Sequence, residues 1–101
     1  MFTVENALKL AQETFDGLVK SETLETAVEA TDETILLGKN SVLDSIGFIT
    51  FLTDYEDRLQ LAMDKECYLD FNEIIENNTG KLSLSVGILV QYAVKLVNDE
   101  S

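Results

Sequence analysis

Residues 42–62 read VLDSIGFITFLTDYEDRLQLA and predict an amphipathic helix that packs against more than one neighbour. Apolar residues recur in this stretch three or four positions apart, which is the period of one buried helix face. They are Phe48, Leu52, Tyr55, Leu59 and Ala62. Ile46, Ile49 and Phe51 flank this stripe and widen the apolar surface. We therefore predict a helix over residues 45–61, with Asp44 and Ser45 at the position of its cap.

Three more segments have the same period. A long helix is predicted over residues 3–19, a short one over residues 70–76 and a third long one over residues 85–98. Residues 20–44 form a long connection that contains one short apolar run, Ile35-Leu36-Leu37. Because no amphipathic helix buries its apolar stripe alone, the helices must pack together. The expected fold is all-α: a four-helix bundle of three long helices and one short one in a single domain, residues 1–101, with a long loop between the first two helices.

The charge of the chain limits the kinds of partner it can bind. Nineteen acidic residues oppose seven basic ones, which gives a formal net charge of −12. Such a surface repels nucleic acid and anionic lipid and attracts partners that carry basic patches. No apolar stretch is long enough to span a membrane, and no signal peptide is evident. We expect a cytoplasmic protein without membrane insertion.

Residue types exclude most catalytic and metal sites. The chain has no histidine, so neither a Ser-His-Asp triad nor a Cys-His dyad can form. A single cysteine, Cys67, cannot build a thiolate zinc site or an internal disulfide. Residues 64–73 are similar to the end of a calcium-binding EF-hand loop, but Ala62 would stand at the first ligand position and Cys67 at the required glycine. We therefore expect no metal site.

The stretch Val42-Leu43-Asp44-Ser45-Ile46-Gly47-Phe48-Ile49 resembles the prosthetic-group site of acyl carrier proteins. In that family an Asp-Ser-Leu motif opens the second helix, and its serine receives 4'-phosphopantetheine from coenzyme A. Asp44 and Ser45 match this motif, and Ile46 replaces the leucine conservatively. The resemblance covers most of the chain, because the order of a first helix, a long loop, the motif-bearing helix, a short helix and a last helix is also that of the family.

The resemblance implies a non-catalytic carrier with an acyl-carrier-like bundle. Ser45 would carry the covalent 4'-phosphopantetheine arm, and Asp44 would cap the helix, contribute to recognition by the transferase, or both. An acyl or aminoacyl group would be held on the arm as a thioester for a dedicated biosynthetic pathway. The implied partners are a phosphopantetheinyl transferase, an acyl-loading ligase or transferase, and a downstream acceptor enzyme. The carrier is expected to be a monomer.

Two positions depart from the fatty-acid type of carrier. That type places acidic residues two and five positions after the modified serine, where this chain has Gly47 and Thr50. The next acids lie further along the helix. The segment is therefore more similar to specialised carriers such as the D-alanyl carrier protein. The surface expected to face partners comprises Ile46, Gly47, Thr50, Asp54, Glu56 and Asp57.

Other interpretations remain open at this point. Serine is a preferred cap, so Ser45 judged without the resemblance favours a purely structural role. An acidic helical adaptor without a cofactor, which binds a basic partner, is the alternative function. A nucleic-acid mimic is less favoured because the acids are spread over the loop and several helices. In the carrier family the acyl chain can fold back between the helices. The candidates for its lining, each also a plausible core residue, are Phe48, Phe51, Leu52, Ile74 and Val90.

Overall fold

The computed structural model describes residues 2–38, 41–64, 66, 68–70, 72–74 and 84–99, with the exception of the side chains of Ser45 and Asp99. The fold is mostly helical. In chain order its elements are α1 (Val4–Lys20), β1 (Ile35–Leu37), α2 (Ser45–Met63), β2 (Leu84–Ser85) and α3 (Val86–Asp99). Residues 72–74 are also helical. Helix α1 packs against both α2 and α3.

An aromatic cluster joins α1 to α2. The ring centroids of Phe15 and Phe51 lie 4.7 Å apart, and those of Phe51 and Tyr55 lie 6.0 Å apart in a stacked arrangement. All three side chains are fully buried. The Tyr55 hydroxyl donates a hydrogen bond to the carbonyl oxygen of Ala7 at 3.0 Å, so its one polar group is satisfied inside the core. Tyr55 of the predicted stripe, and Phe51 that flanks it, therefore contact α1.

A two-stranded antiparallel sheet holds the long connection against the start of α3. Ile35 pairs with Ser85 and Leu37 with Leu84. The first amide groups of α3 find acceptors in the connection: Val86 N–H donates to the Thr34 carbonyl oxygen at 2.8 Å. These bonds satisfy donors that the helix itself leaves unpaired.

The amide side chain of Gln12 in α1 makes hydrogen bonds to the first half of the connection. Its Nε2 donates to the Val28 carbonyl oxygen at 2.9 Å, and its Oε1 accepts from the Ala30 N–H at 2.8 Å. One side chain thus pairs with the backbone on both sides of residue 29, as a neighbouring strand would. These two bonds hold residues 28–30 of the long connection against α1.

Most of the predicted elements are confirmed. Helices predicted at 3–19, 45–61 and 85–98 are found at Val4–Lys20, Ser45–Met63 and Val86–Asp99. Leu36, from the apolar run in the connection, is fully buried. Of the short helix predicted at 70–76, residues 72–74 are helical, while residues 71, 75 and 76 lie outside the described residues.

Two details of the prediction are wrong, and a small strand pair was not predicted. The fold is not purely helical, because β1 and β2 pair; strands of three and two residues are too short to show an alternating pattern. Ser85 belongs to β2 rather than to the last helix, and its Oγ accepts the Ile88 amide at 3.3 Å. Ala62, predicted as part of the buried stripe, is exposed, because Leu59 and Met63 are the residues that pack against the core at this end of α2.

Candidate functional site

Helix α2 begins directly after its cap, and the cap is Asp44. The Asp44 carboxylate accepts the Gly47 amide at 2.6 Å while the Asp44 backbone stays extended. This bond is the usual way in which an N-cap side chain satisfies a free donor of the first turn. Ser45 is therefore the first helical residue, and the purely structural role considered for it is filled by its neighbour.

Two features position the segment that precedes this cap. Val42 N–H donates to the Ile35 carbonyl oxygen at 2.9 Å, which ties the segment to β1. Leu43 is buried, as is Phe48 one turn into the helix. Leu43 immediately precedes the cap, and Phe48 is the fourth residue of the helix. Apolar contact between residues at these two positions fixes the direction in which the chain enters a helix.

An apolar cavity of about 500 Å³ opens beside α2. Among the described residues, five of those that line it come from that helix, and Leu37 of β1 and Leu69 line it as well. The residues from α2 are Phe48, Ile49, Leu52, Thr53 and Glu56.

Ser45 lies on the same face of α2 as this cavity. The cavity-lining residues of the helix follow Ser45 by three, four, seven, eight and eleven positions. With 3.6 residues per turn, these positions form one stripe that starts at residue 45. Ser45, the first residue of α2, thus lies at the N-terminal end of the row of residues that lines the cavity.

Thr53 and Glu56, the two polar side chains among the described lining residues, already have partners within the protein. The Thr53 hydroxyl donates to the Ile49 carbonyl oxygen at 3.0 Å. The Glu56 carboxylate accepts the Leu69 amide at 2.7 Å. The other side chains described in its wall are hydrocarbon, so this part of the cavity suits an apolar ligand.

Exposed apolar side chains surround the start of α2. Ile46 is 76% exposed and Ile49 is 64% exposed, and Val42 is exposed just before the cap. Ile46 and Ile49 lie one turn apart on the same helix, and a contiguous exposed apolar patch marks a contact site. This patch, formed by Val42, Ile46 and Ile49, is the exposed apolar patch of the site.

The residues expected to face partners are only partly accessible. Ile46 and Asp57 are exposed, whereas Thr50, Asp54 and Glu56 are half-buried. Their positions are compatible with the expectation, although Glu56 also serves the fold through Leu69.

Gly47 was expected to face partners, but the structure shows it in a buried position. It is buried, and a Cβ atom there would lie 3.0 Å from the Asp44 carboxylate and 3.6 Å from the Leu43 side chain. The glycine leaves room for the capping carboxylate of Asp44, and it is less accessible than the sequence predicted.

The candidate lining residues divide into two groups. Phe48 and Leu52 line the cavity. Phe51, Ile74 and Val90 are fully buried core residues outside it. Sequence reasoning did not assign Ile49, Thr53 or Leu69 to the lining, although the spacing from Ser45 pointed to the first two.

A second groove, about 540 Å³ in volume, lies at the other end of α2. Leu61 is 83% exposed in this groove and is accompanied by Asp57, Asp64 and Glu66. Nearby, the negative charge of Glu66 raises the pKa of Tyr68 above its ordinary value. This end of the helix is acidic, in contrast to the apolar patch at its start.

Comparison with family models, with curated proteins and with solved structures finds no match to this chain. No helix in the described part of the chain combines the length and the apolar character needed to cross a membrane. Among the same residues, no three cysteine or acidic side chains are grouped so that they could hold a metal ion.

Proposed function

We propose that this chain is an acyl carrier protein that holds its acyl or aminoacyl group as a thioester on a 4'-phosphopantetheine arm attached to Ser45. The observation that carries the proposal is the position of Ser45: it follows the capping residue and heads the helix face that lines the apolar cavity. The function is that of a carrier and not of an enzyme.

The start of α2 fits the covalent group that the proposal requires. Because Asp44 supplies the cap, Ser45 is not needed for that role. The first backbone amides of a helix and its dipole favour a negative charge, and the arm is joined to the serine through a phosphodiester. The arm supplies the thiol that carries the acyl group, and the protein supplies its attachment and presentation.

The cavity fits an apolar acyl chain that turns back onto the protein. It begins one helical turn after Ser45 and continues to Glu56 along the same face. An arm attached at residue 45 would therefore reach the cavity along one face of α2, without passing around the helix. This arrangement favours a fully aliphatic group over a charged one, because the described side chains of the wall offer no unused hydrogen-bond donor.

The fold and the partners follow from the same proposal. We regard the packed helices as an acyl-carrier-like bundle to which a short strand pair has been added. The exposed apolar patch would contact the transferase, the loading ligase or transferase, and the acceptor enzyme in turn. Such contacts are expected to be small and transient. We further propose a cytoplasmic monomer.

A second candidate function is an acidic adaptor without a cofactor. Leu61 favours it, since an exposed leucine accompanied by three carboxylates suits a partner that is both apolar and basic. This function makes no use of Ser45, which separates it from the carrier.

The test is transfer of a fluorescent coenzyme A analogue by a promiscuous phosphopantetheinyl transferase, followed on a denaturing gel. We expect covalent fluorescence on the wild-type chain and on Ser41→Ala, and none on Ser45→Ala. Ser41 is a matched control because it lies in the segment that leads into the same helix. If the wild type stays unlabelled while a known carrier is labelled in parallel, the carrier function is wrong and the adaptor becomes the leading candidate.

A further inference from the structure

One carboxylate lies at the wall of the apolar cavity. Glu56 is the last of the α2 residues that line the cavity, and its carboxylate accepts the amide of Leu69, which lines the cavity as well. This hydrogen bond is partly buried and measures 2.7 Å. Hydrogen bonds to an ionised group are stronger than those between neutral groups. The negative charge is therefore placed at the cavity wall, between two of its lining residues.

No positive charge balances Glu56 among the described residues of the wall. Those residues include no lysine or arginine, and all of their side chains except Thr53 and Glu56 are hydrocarbon. Glu56 is half-buried, and a charge in such a setting is screened less than one in water. The formal net charge of −12 on the whole chain adds to the repulsion of an anion. An anionic group in the cavity would therefore meet a like charge without a compensating partner.

The position of Glu56 decides which part of a ligand lies beside it. The lining residues of α2 run from Phe48 to Glu56, a length of about 12 Å at 1.5 Å per residue. Phe48 is the end of this row nearer to Ser45, and Glu56 is the farther end. A chain that enters from the side of Ser45 and fills the row brings its free end next to the carboxylate. A methyl group at that end has no charge to be repelled, whereas a carboxylate faces a like charge.

We infer that Glu56 determines the ligand specificity of the cavity: its carboxylate excludes chains whose end carries a negative charge and admits neutral apolar ones. The inference deepens the proposed function and rests on it for the natural ligand. On the carrier, Glu56 selects an acyl group with an uncharged far end over one that ends in a second carboxylate. The cavity opens at the surface beside the exposed Ile49 and Thr53, so this selection requires no movement of the protein.

Two dyes that differ by one charged group test the inference on the unmodified protein. The first, 1-N-phenylnaphthylamine, is neutral, and the second, 1-anilinonaphthalene-8-sulfonate, has the same aromatic skeleton with one added sulfonate. Both fluoresce in an apolar site, so fluorescence titration gives the two dissociation constants. Glu56→Gln removes the charge and keeps an oxygen that can accept the Leu69 amide. Glu13→Gln is the matched control, because it makes the same exchange at an exposed residue of α1 that does not line the cavity.

We expect Glu56→Gln to bind the anionic dye about tenfold more tightly than the wild type does, a factor that corresponds to about 1.4 kcal/mol, and to bind the neutral dye with nearly unchanged affinity. Glu13→Gln should match the wild type with both dyes, and NMR should show shifts at the amides of Ile49 and Thr53. The inference is overturned if the ratio of the two dissociation constants is the same in Glu56→Gln and Glu13→Gln, or if the neutral dye leaves these amides unshifted. Neither result depends on whether Ser45 accepts a phosphopantetheinyl group.

Discussion

The carboxylate of Asp44 accepts the amide of Gly47 at 2.6 Å, and this bond assigns the cap of α2 to Asp44 rather than to Ser45. A serine at the start of a helix most often serves as its cap. Here that role is occupied, and the serine heads the face along which the apolar cavity opens. The proposed carrier function depends on this division of roles between adjacent residues.

The two roles of Asp44 can be separated by substitution. Asp44→Ala should lower the free energy of unfolding by about 1 kcal/mol, since an N-cap side chain contributes about that much. Asp44→Ser retains a capping oxygen and should stay within about 0.5 kcal/mol of the wild type in urea unfolding. We expect Asp44→Ser nevertheless to be modified about tenfold more slowly by the transferase, which would reflect about 1.4 kcal/mol of lost recognition. Equal rates for the serine variant and the wild type would limit Asp44 to the cap.

The hydroxyl of Tyr55 should contribute to stability, whereas that of Tyr68 should not. Tyr55→Phe removes the bond to Ala7 from a fully buried site and should lower the free energy of unfolding by about 1 kcal/mol. Tyr68 is 61% exposed, so Tyr68→Phe should change it by less than about 0.5 kcal/mol. Urea titrations of both variants provide the comparison, and equal effects would mean that the buried bond is not formed in solution.

Tyr55 also predicts a loss of stability at high pH. Burial raises the pKa of Tyr55 well above its ordinary value of 10.0. Above that value the unfolded chain loses the phenolic proton while the folded chain keeps it, so the free energy of unfolding falls as the pH rises. One such group accounts for a slope of about 1.4 kcal/mol per pH unit. The free energy of unfolding of the wild type should fall more steeply than that of Tyr55→Phe by this amount above pH 10; parallel curves would contradict the burial of the phenol.

Two glycines in helices should respond oppositely to alanine. A Cβ atom at Gly87 would lie 2.9 Å from the backbone carbonyl oxygen of Asp32, in the loop that caps α3. Gly87→Ala should therefore lower the free energy of unfolding by about 1–3 kcal/mol, as overpacking does.

At Gly17 a Cβ atom would lie 2.7 Å from the guanidinium end of Arg58, a flexible side chain that can move aside. Gly17→Ala should be neutral or stabilising by up to about 1 kcal/mol, because alanine is the better helix former. Thermal unfolding of both variants tests the pair. An equal loss in the two proteins would show that neither site has the packing described.

The helices were predictable because their signal is local. The spacing of Ala7, Ala11 and Phe15 in α1, and of Phe51 and Tyr55 in α2, gives the buried faces directly. The strand pair was not predictable, because Ile35 and Ser85 meet only after the connection folds back onto α3. Nothing within either short segment distinguishes a strand from a turn.

The candidate site was predictable in its position but not in its shape. The segment from Val42 to Ile49 indicated Ser45 and Asp44, and the spacing along α2 indicated which positions share a face. The closeness of Gly47 to the capping carboxylate of Asp44 is a local contact within one turn, but it depends on the side-chain geometry of the cap. The contact of Leu69 with Glu56 joins residues thirteen positions apart. The spacing of the apolar residues predicts neither of them.

The central claim is that Ser45 carries the prosthetic group, and intact mass spectrometry tests it most directly. The wild-type chain and Ser45→Ala are each incubated with coenzyme A and a promiscuous phosphopantetheinyl transferase, beside a known carrier as a positive control. We predict that the wild type gains the mass of one phosphopantetheinyl group, located at residue 45 by peptide mapping, and that Ser45→Ala gains none. An unchanged wild-type mass beside a modified control, or an adduct that persists in Ser45→Ala, would contradict this claim.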